Sequence, residues 1–205
     1  MLAIIDYGVG NLFSLRCSLE QIGAEVVVTD NVATLRKADH LILPGVGAFS
    51  DAAAKLRSSG LDQVVMQEAA SGKPLMGICL GMQMLFEKSF EYGEHEGLGL
   101  LKGNVISMNG VIPSHLQIPH IGWNGLHIQQ KDCPLFRYTK ENDCVYFVHS
   151  YFACGCEDSL AASTEYGMEI TAAVSKDNIF GCQFHPEKSG DVGLGILRAF
   201  LEVRA

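Results

Sequence analysis

An α/β fold, with a doubly wound and mostly parallel central sheet, is the class this sequence predicts, and three observations carry the prediction. Short apolar runs alternate with stretches of helical period through the first ninety residues. The runs are apolar on both faces, as strands covered by helices on either side must be. Glycines follow them, where strands would hand over to loops.

Residues 2–6 form the first run, ending in Asp6 ahead of Gly8 and Gly10. Leu12, Leu15, Leu19 and Ile22 then recur at spacings of 3, 4 and 3, with Asn11 suited to the N-cap and Gly23 to the C′ position, so a helix is expected. Two further strands are expected over 25–28 and 40–43, the second running into Pro44-Gly45-Val46-Gly47. Helical spacing returns over 48–56 and 61–70, residues 74–78 form another buried run, and helical period continues from 80 to 88. After Gly97 the pattern changes to short strand candidates at 104–108, 126–129, 144–149, 170–175 and 179–184, followed by a helix at 192–203. That half is expected to add a smaller antiparallel sheet. Without repeats or a Pro/Ser linker, 205 residues are expected to form one domain spanning 1–205.

Composition narrows the function. The chain is 48% hydrophobic and 19% charged, which is the range of compact proteins. A net charge of −8 without clustered Lys and Arg argues against binding nucleic acid. The longest apolar runs fall far short of the ~20 residues that span a bilayer, and the N-terminus lacks the basic flank of a signal peptide, so a cytoplasmic location is expected. Seven cysteines with no CxxC pair argue against a disulfide framework and against a zinc ribbon. Cys154-Gly155-Cys156 offers two soft ligands but no third at suitable spacing, and the glycines do not form G-x-G-x-x-G. No cofactor and no metal are expected.

The sharpest feature is Gly77-Ile78-Cys79-Leu80-Gly81 at an expected strand-to-helix junction, the cysteine version of the G-x-S-x-G nucleophile elbow. A tight turn there exposes the sulfur, and the following helix N-terminus favours the thiolate. A cysteine in an apolar run is otherwise an ordinary buried hydrophobe. A thiolate needs a base, and His185 stands in Phe184-His185-Pro186-Glu187 at the end of a strand-like run. Two residues apart on an extended segment, His185 and Glu187 point the same way, so the carboxylate can orient the imidazole. Cys79, His185 and Glu187 thus form a candidate triad. The N–H of Leu80 is placed to serve as one oxyanion donor, and the Val46 peptide, flanked by glycines, as a second.

These segments, together with Gly-Ile-Cys-Leu-Gly-Met-Gln at 77–83, His-Ser-Tyr at 149–151 and Phe-His-Pro-Glu-Lys-Ser at 184–189, resemble the class I (triad) glutamine amidotransferases in order and spacing. Residues 6–11 and 119–124 are similar to one branch of that family, the glutaminase subunits of bacterial imidazole glycerol phosphate synthases. The resemblance implies glutamine hydrolysis through a glutamyl thioester on Cys79. It implies that Gly47, Gln83, Glu91 and the backbone of Ser150 and Tyr151 hold glutamine, with Glu91 facing its α-ammonium. It also implies a (β/α)₈ cyclase as heterodimeric partner and recipient of the ammonia, with Asn11, Trp123, Asn124, Tyr146 and Lys188 near the interface. A glutaminase feeding a different synthase, and a non-catalytic regulatory subunit, are the alternatives. An intact Cys79, His185 and Glu187 set speaks against the second of these.

Overall fold

The computed structural model describes residues 1–204. Its central sheet has eight strands in the order β2-β1-β3-β4-β14-β13-β12-β9. The first five run parallel: β2 (Val26–Thr29), β1 (Leu2–Ile5), β3 (His40–Gly45), β4 (Leu75–Cys79) and β14 (Ile179–Cys182). β13 (Glu169–Lys176), β12 (Leu160–Glu165) and β9 (His127–Ile128) continue the sheet antiparallel. Two smaller sheets lie apart from it. One pairs β8 (His120–Gly125) with β10 (Cys144–His149), and the other has the order β11 (Tyr151–Cys154), β7 (Asn104–Ser107), β5 (Lys88–Ser89), β6 (His95–Glu96).

Alternation along the strands divides the core in two. Ala3, Ile5, Leu41, Leu43 and Leu75 face α2 (Val32–Lys37), α3 (Phe49–Ser58), α4 (Leu61–Ala70) and α5 (Leu80–Met84). Leu2, Ile4, Ile42, Met76 and Ile78 face α1 (Leu12–Gln21) and α6 (Gly190–Leu201) on the other side. Helices on both faces explain why the parallel strands read as unbroken apolar runs. The expected caps of α1 are present: the Asn11 side chain accepts from the Ser14 N–H, and Gly23 has φ +83°. Among the described residues no helix is long and apolar enough to cross a membrane.

Three expectations need correcting. The helix expected over 80–88 stops at Met84, because the carbonyls that would continue it bond a distant segment instead. Leu98 N–H donates to Met84 O, Leu100 N–H to Leu85 O, Gly99 N–H to Phe86 O and Gly97 N–H to Glu87 O. The expected smaller antiparallel sheet is present as β8 with β10, but it does not take all the antiparallel strands, since β13, β12 and β9 extend the central sheet. Finally, β8, β11, β12 and α2 lie outside the expected elements, and the strand expected at 126–129 shrinks to β9 behind the longer β8.

Candidate active site

β4 delivers Cys79 to the carboxyl edge of the parallel strands, where its backbone adopts φ 54°, ψ −113° and α5 begins at the next residue. For a residue with a side chain this conformation costs on the order of 1–3 kcal/mol, and the surrounding packing enforces it. The glycines on either side supply the space. A Cβ on Gly81 would overlap the Leu43 carbonyl oxygen, and one on Gly77 would come within 2.6 Å of the Met82 amide nitrogen. The elbow read from sequence is present, with the sulfur-bearing residue largely buried.

β14 pairs with β4 so that Cys182 lies beside Ile78, which brings the residues that follow, Gln183 and His185, to Cys79. His185 Nδ1 lies 2.8 Å from Glu187 Oε1, and both side chains are 3% exposed. The contact arises by a different route from the one expected. Residues Pro186–Lys188 form a 3₁₀ turn, and this turn, instead of extended alternation, brings Glu187 back to the imidazole. Burial alone would push the His185 imidazole down. Hydrogen bonds to Cys79 and Glu187, and the negative charge on both, outweigh burial and raise it to about 9. His185 therefore holds its proton at neutral pH, as the cationic half of a thiolate–imidazolium pair requires.

The facing wall is the loop after β3, whose Gly45 is in register with Cys79. The Tyr7 hydroxyl donates to the Pro44 carbonyl at 2.7 Å and anchors the start of this loop. Burial, reinforced by Cys79, keeps that hydroxyl protonated. Gly47 has φ +93°, a conformation that favours glycine, and Val46 between them is 42% exposed.

A cavity of about 490 Å³ opens over the sulfur, within the range of small-molecule sites. Every residue expected to hold glutamine lines it, as do Val46, Cys79, Leu80 and His185. Glu91 also serves the frame of this cavity, since its Oε2 accepts from the Phe49 N–H at 2.5 Å. It thereby caps α3, whose own N-cap residue, Ala48, has no side-chain acceptor. The Ser150 carbonyl accepts from Met108 N–H, and the Tyr151 carbonyl from Gln83 Nε2 at 3.1 Å. Gln83 Nε2 also donates to Gln183 Oε1 at 2.9 Å, and Gln183 Nε2 to Cys79 Sγ at 3.7 Å. Sequence reading missed Gln183, although the two-residue step that runs forward from His185 to Glu187 also runs back to it.

Of the residues expected near a partner, Trp123, Tyr146 and Lys188 come together. Trp123 meets Tyr146 edge-on at 6.0 Å, and Lys188 Nζ lies 5.8 Å from the Tyr146 ring centre. Trp123 and Ile121 are both more than half exposed on one face of β8. Asn11 sits apart from that stack as the cap of α1, which packs against the Pro186–Lys188 turn. Asn124 turns to the other face of β8, where its Nδ2 donates to the Glu165 carbonyl and its Oδ1 lies 2.9 Å from His120 Nε2. His120 Nδ1 in turn meets His149 Nε2 at 3.1 Å, and His149 Nδ1 meets the Tyr151 carbonyl at 2.9 Å. Burial lowers both rings, His149 to about 3. Cys154 and Cys156 remain separate thiols, Cys156 buried against the Thr171 hydroxyl.

Comparison with known proteins agrees with this geometry. The family model "Glutamine amidotransferase class-I" matches residues 3–202. The chain is 50% identical over 204 residues to the imidazole glycerol phosphate synthase subunit HisH of Oceanobacillus iheyensis, covering 99% of each chain. It is also 50% identical over 204 residues to the HisH subunit of Caldanaerobacter subterraneus, covering 99% of this chain and 98% of that one. Among solved structures, PurLQS from Thermotoga maritima superposes with TM-score 0.75 at 23% identity, over 98% of this chain and 96% of the other, a likeness of fold. With the cysteine elbow, its histidine and carboxylate, and a match along almost the whole sequence, the chain belongs to the class-I glutamine amidotransferase family.

Proposed function

We propose that the chain, acting over 1–205 as one amidotransferase domain, is the glutaminase subunit of an imidazole glycerol phosphate synthase in histidine biosynthesis. The observation that carries the reading is His185, held by the Glu187 carboxylate, beside Cys79 on the wall of a cavity that also presents Glu91. The Cys79 thiolate attacks the side-chain amide carbon of glutamine. The oxyanion that forms is met by the Leu80 N–H and by an N–H of the Val46–Gly47 loop. His185 gives its proton to the departing nitrogen, ammonia leaves, and a glutamyl thioester remains. Neutral His185 then takes a proton from the water that attacks the thioester and keeps it, so that collapse of the adduct breaks the C–S bond, restores the thiolate–imidazolium pair and releases the product acid, which ionises in solvent. Glutamine and water become glutamate and ammonia.

Gln83 has spent both amide protons inside the protein, so it meets glutamine with its oxygen, and the free oxygen of Glu91 receives the α-ammonium. Gly47 and the backbone of Ser150 and Tyr151 complete the substrate contacts. In neutral water ammonia is mostly protonated and no longer a nucleophile, so the product is useful only when passed on directly. The 50% identical HisH relatives are named as subunits of a synthase, which supports a partner subunit as the recipient; we take that partner to be a (β/α)₈ cyclase in a cytoplasmic heterodimer, as the family resemblance implies. The exposed Trp123, with Tyr146 and Lys188 beside it, is the face we assign to it, while Asn11 and Asn124, which the resemblance also implies near the interface, lie off that face.

The test is glutamate release by the purified chain, alone and with a cyclase subunit and its ribulosyl substrate. Activity that rises by orders of magnitude with the partner supports the reading. Cys79→Ala should abolish glutamine-dependent synthesis and leave synthesis from ammonium salts intact. Loss of both would overturn the division of labour.

A further inference from the structure

We infer that Gln183 is a further catalytic residue, an amide donor that holds the Cys79 sulfur in its ionised form, and that Gln83 is the positioning residue that aims it. The inference rests on the glutaminase reading above. Gln183 has no exposed surface, so its amide must find partners inside the protein. Which way it points is decided by its neighbour. The Tyr151 backbone carbonyl can only accept, so the Gln83 atom 3.1 Å from it is the nitrogen, and the Gln183 atom 2.9 Å from that nitrogen is the oxygen. The Gln83 nitrogen must therefore face both, and the Gln183 oxygen must face Gln83. That leaves the Gln183 nitrogen directed at Cys79 Sγ, 3.7 Å away.

An amide N–H discriminates between the forms of that sulfur. A thiol accepts hydrogen bonds weakly, whereas a thiolate accepts them as an ion does. The Gln183 contact thus favours the state in which Cys79 attacks. It matters a second time when the thioester breaks: the C–S bond opens, the electron pair goes to sulfur, and the Gln183 N–H meets the charge as it forms. The backbone under this amide is fixed as well, since Gln183 N–H donates to Ala172 O at 2.8 Å, one step past the end of β14. His185 provides the opposite charge and the mobile proton, while Gln183 provides a donor that never gives its proton away.

The experiment compares wild-type chain with Gln183→Met, which keeps length and burial but has no donor, and with Gln183→Glu, which keeps shape but turns an acceptor toward the sulfur. Alkylation of Cys79 by iodoacetamide, which reaches it through the cavity, is followed by peptide mass, since Cys17 and Cys144 are exposed and compete, alongside glutamine hydrolysis. Near neutral pH, Cys79 alkylation should slow roughly tenfold to a hundredfold in Gln183→Met, the usual worth of a hydrogen bond to a charged group, and further in Gln183→Glu. The Gln183→Met rate should rejoin wild type at alkaline pH, where the thiolate forms without help. An alkylation rate equal to wild type at every pH overturns the proposal, even with hydrolysis impaired, because Gln183 would then act on glutamine. A deficit that is the same at all pH values also overturns it, as damage to the fold would. If Gln183→Met does not fold, the isosteric Gln183→Glu decides on the same profile. A shifted profile in a chain that never hydrolyses glutamine would refute the glutaminase reading and leave the Gln183–sulfur contact standing.

Discussion

Replacing Glu187 by Gln removes one negative charge from a buried pair and little else, since the amide oxygen can still accept from His185 Nδ1. In the structure the imidazole is raised from 6.5 to about 9 against the penalty of burial, which corresponds to about 3 kcal/mol net in favour of its protonated form. Two groups share that effect, the sulfur of Cys79 and the carboxylate of Glu187. Glu187's share of that effect is on the order of 1–3 kcal/mol. The substitution should therefore lower kcat for glutamine hydrolysis by roughly tenfold to a hundredfold, measured as glutamate release at saturating glutamine with the partner present. A second readout comes from stability. Because the folded-state value lies above the ordinary imidazole value, this stabilisation is complete below about pH 6.5 and is lost as pH rises through about 9. Urea unfolding of wild type should weaken over that interval, and Glu187→Gln should show a smaller dependence. A kcat within threefold of wild type, with the same pH dependence of unfolding, would refute the reasoning that Glu187 acts through its charge on His185.

The other expectations concern the frame of the site. Gly81→Ala places a methyl group against the Leu43 carbonyl oxygen, a backbone atom that cannot swing aside, and should cost about 2 kcal/mol or more in urea unfolding; a loss below about 0.5 kcal/mol would mean the elbow relaxes freely. Phe200→Ala removes a fully buried ring that packs edge-on against Phe180 at 5.9 Å and His40 at 5.3 Å, and should cost about 3–5 kcal/mol in the same assay. Trp123→Ala should leave unfolding within about 0.5 kcal/mol of wild type yet weaken association with a cyclase subunit by about 1–2 kcal/mol, measured by calorimetry. Unchanged affinity would move the docking face elsewhere.

What can be read ahead of the structure is local. The elbow is spelled out in five consecutive residues, and the caps of α1 are single side chains at its ends, so both are legible. The helix over 80–88 fails because its continuation depends on residues 97–101, which capture four carbonyls from a distance that periodicity does not sense. β8 escapes notice because two glycines, a histidine and an asparagine hide its alternation, and its pairing with β10 supplies the order that propensity lacks. The pairing of His185 with Glu187 is visible in the spacing, but the turn that makes it is not. His120 cannot be found from spacing, and Gln183, though two residues before His185, acquires its role only through Gln83 a hundred positions away.

The paired histidines behind the cavity carry an arithmetic of their own. Asn124 Oδ1, the His120–His149 contact and the Tyr151 carbonyl make three junctions, each of which needs one proton between its two heavy atoms. The amide of Asn124 cannot supply one, because its nitrogen is committed to the Glu165 carbonyl. Burial keeps both rings on the neutral side at physiological pH, and two neutral imidazoles bring two N–H groups to three junctions. One junction is always left empty-handed. When the rings exchange tautomers, the shortfall travels from the β8 strand, on whose opposite face Trp123 stands, to the carbonyl that also anchors Gln83. A donor arriving at either end decides where it rests.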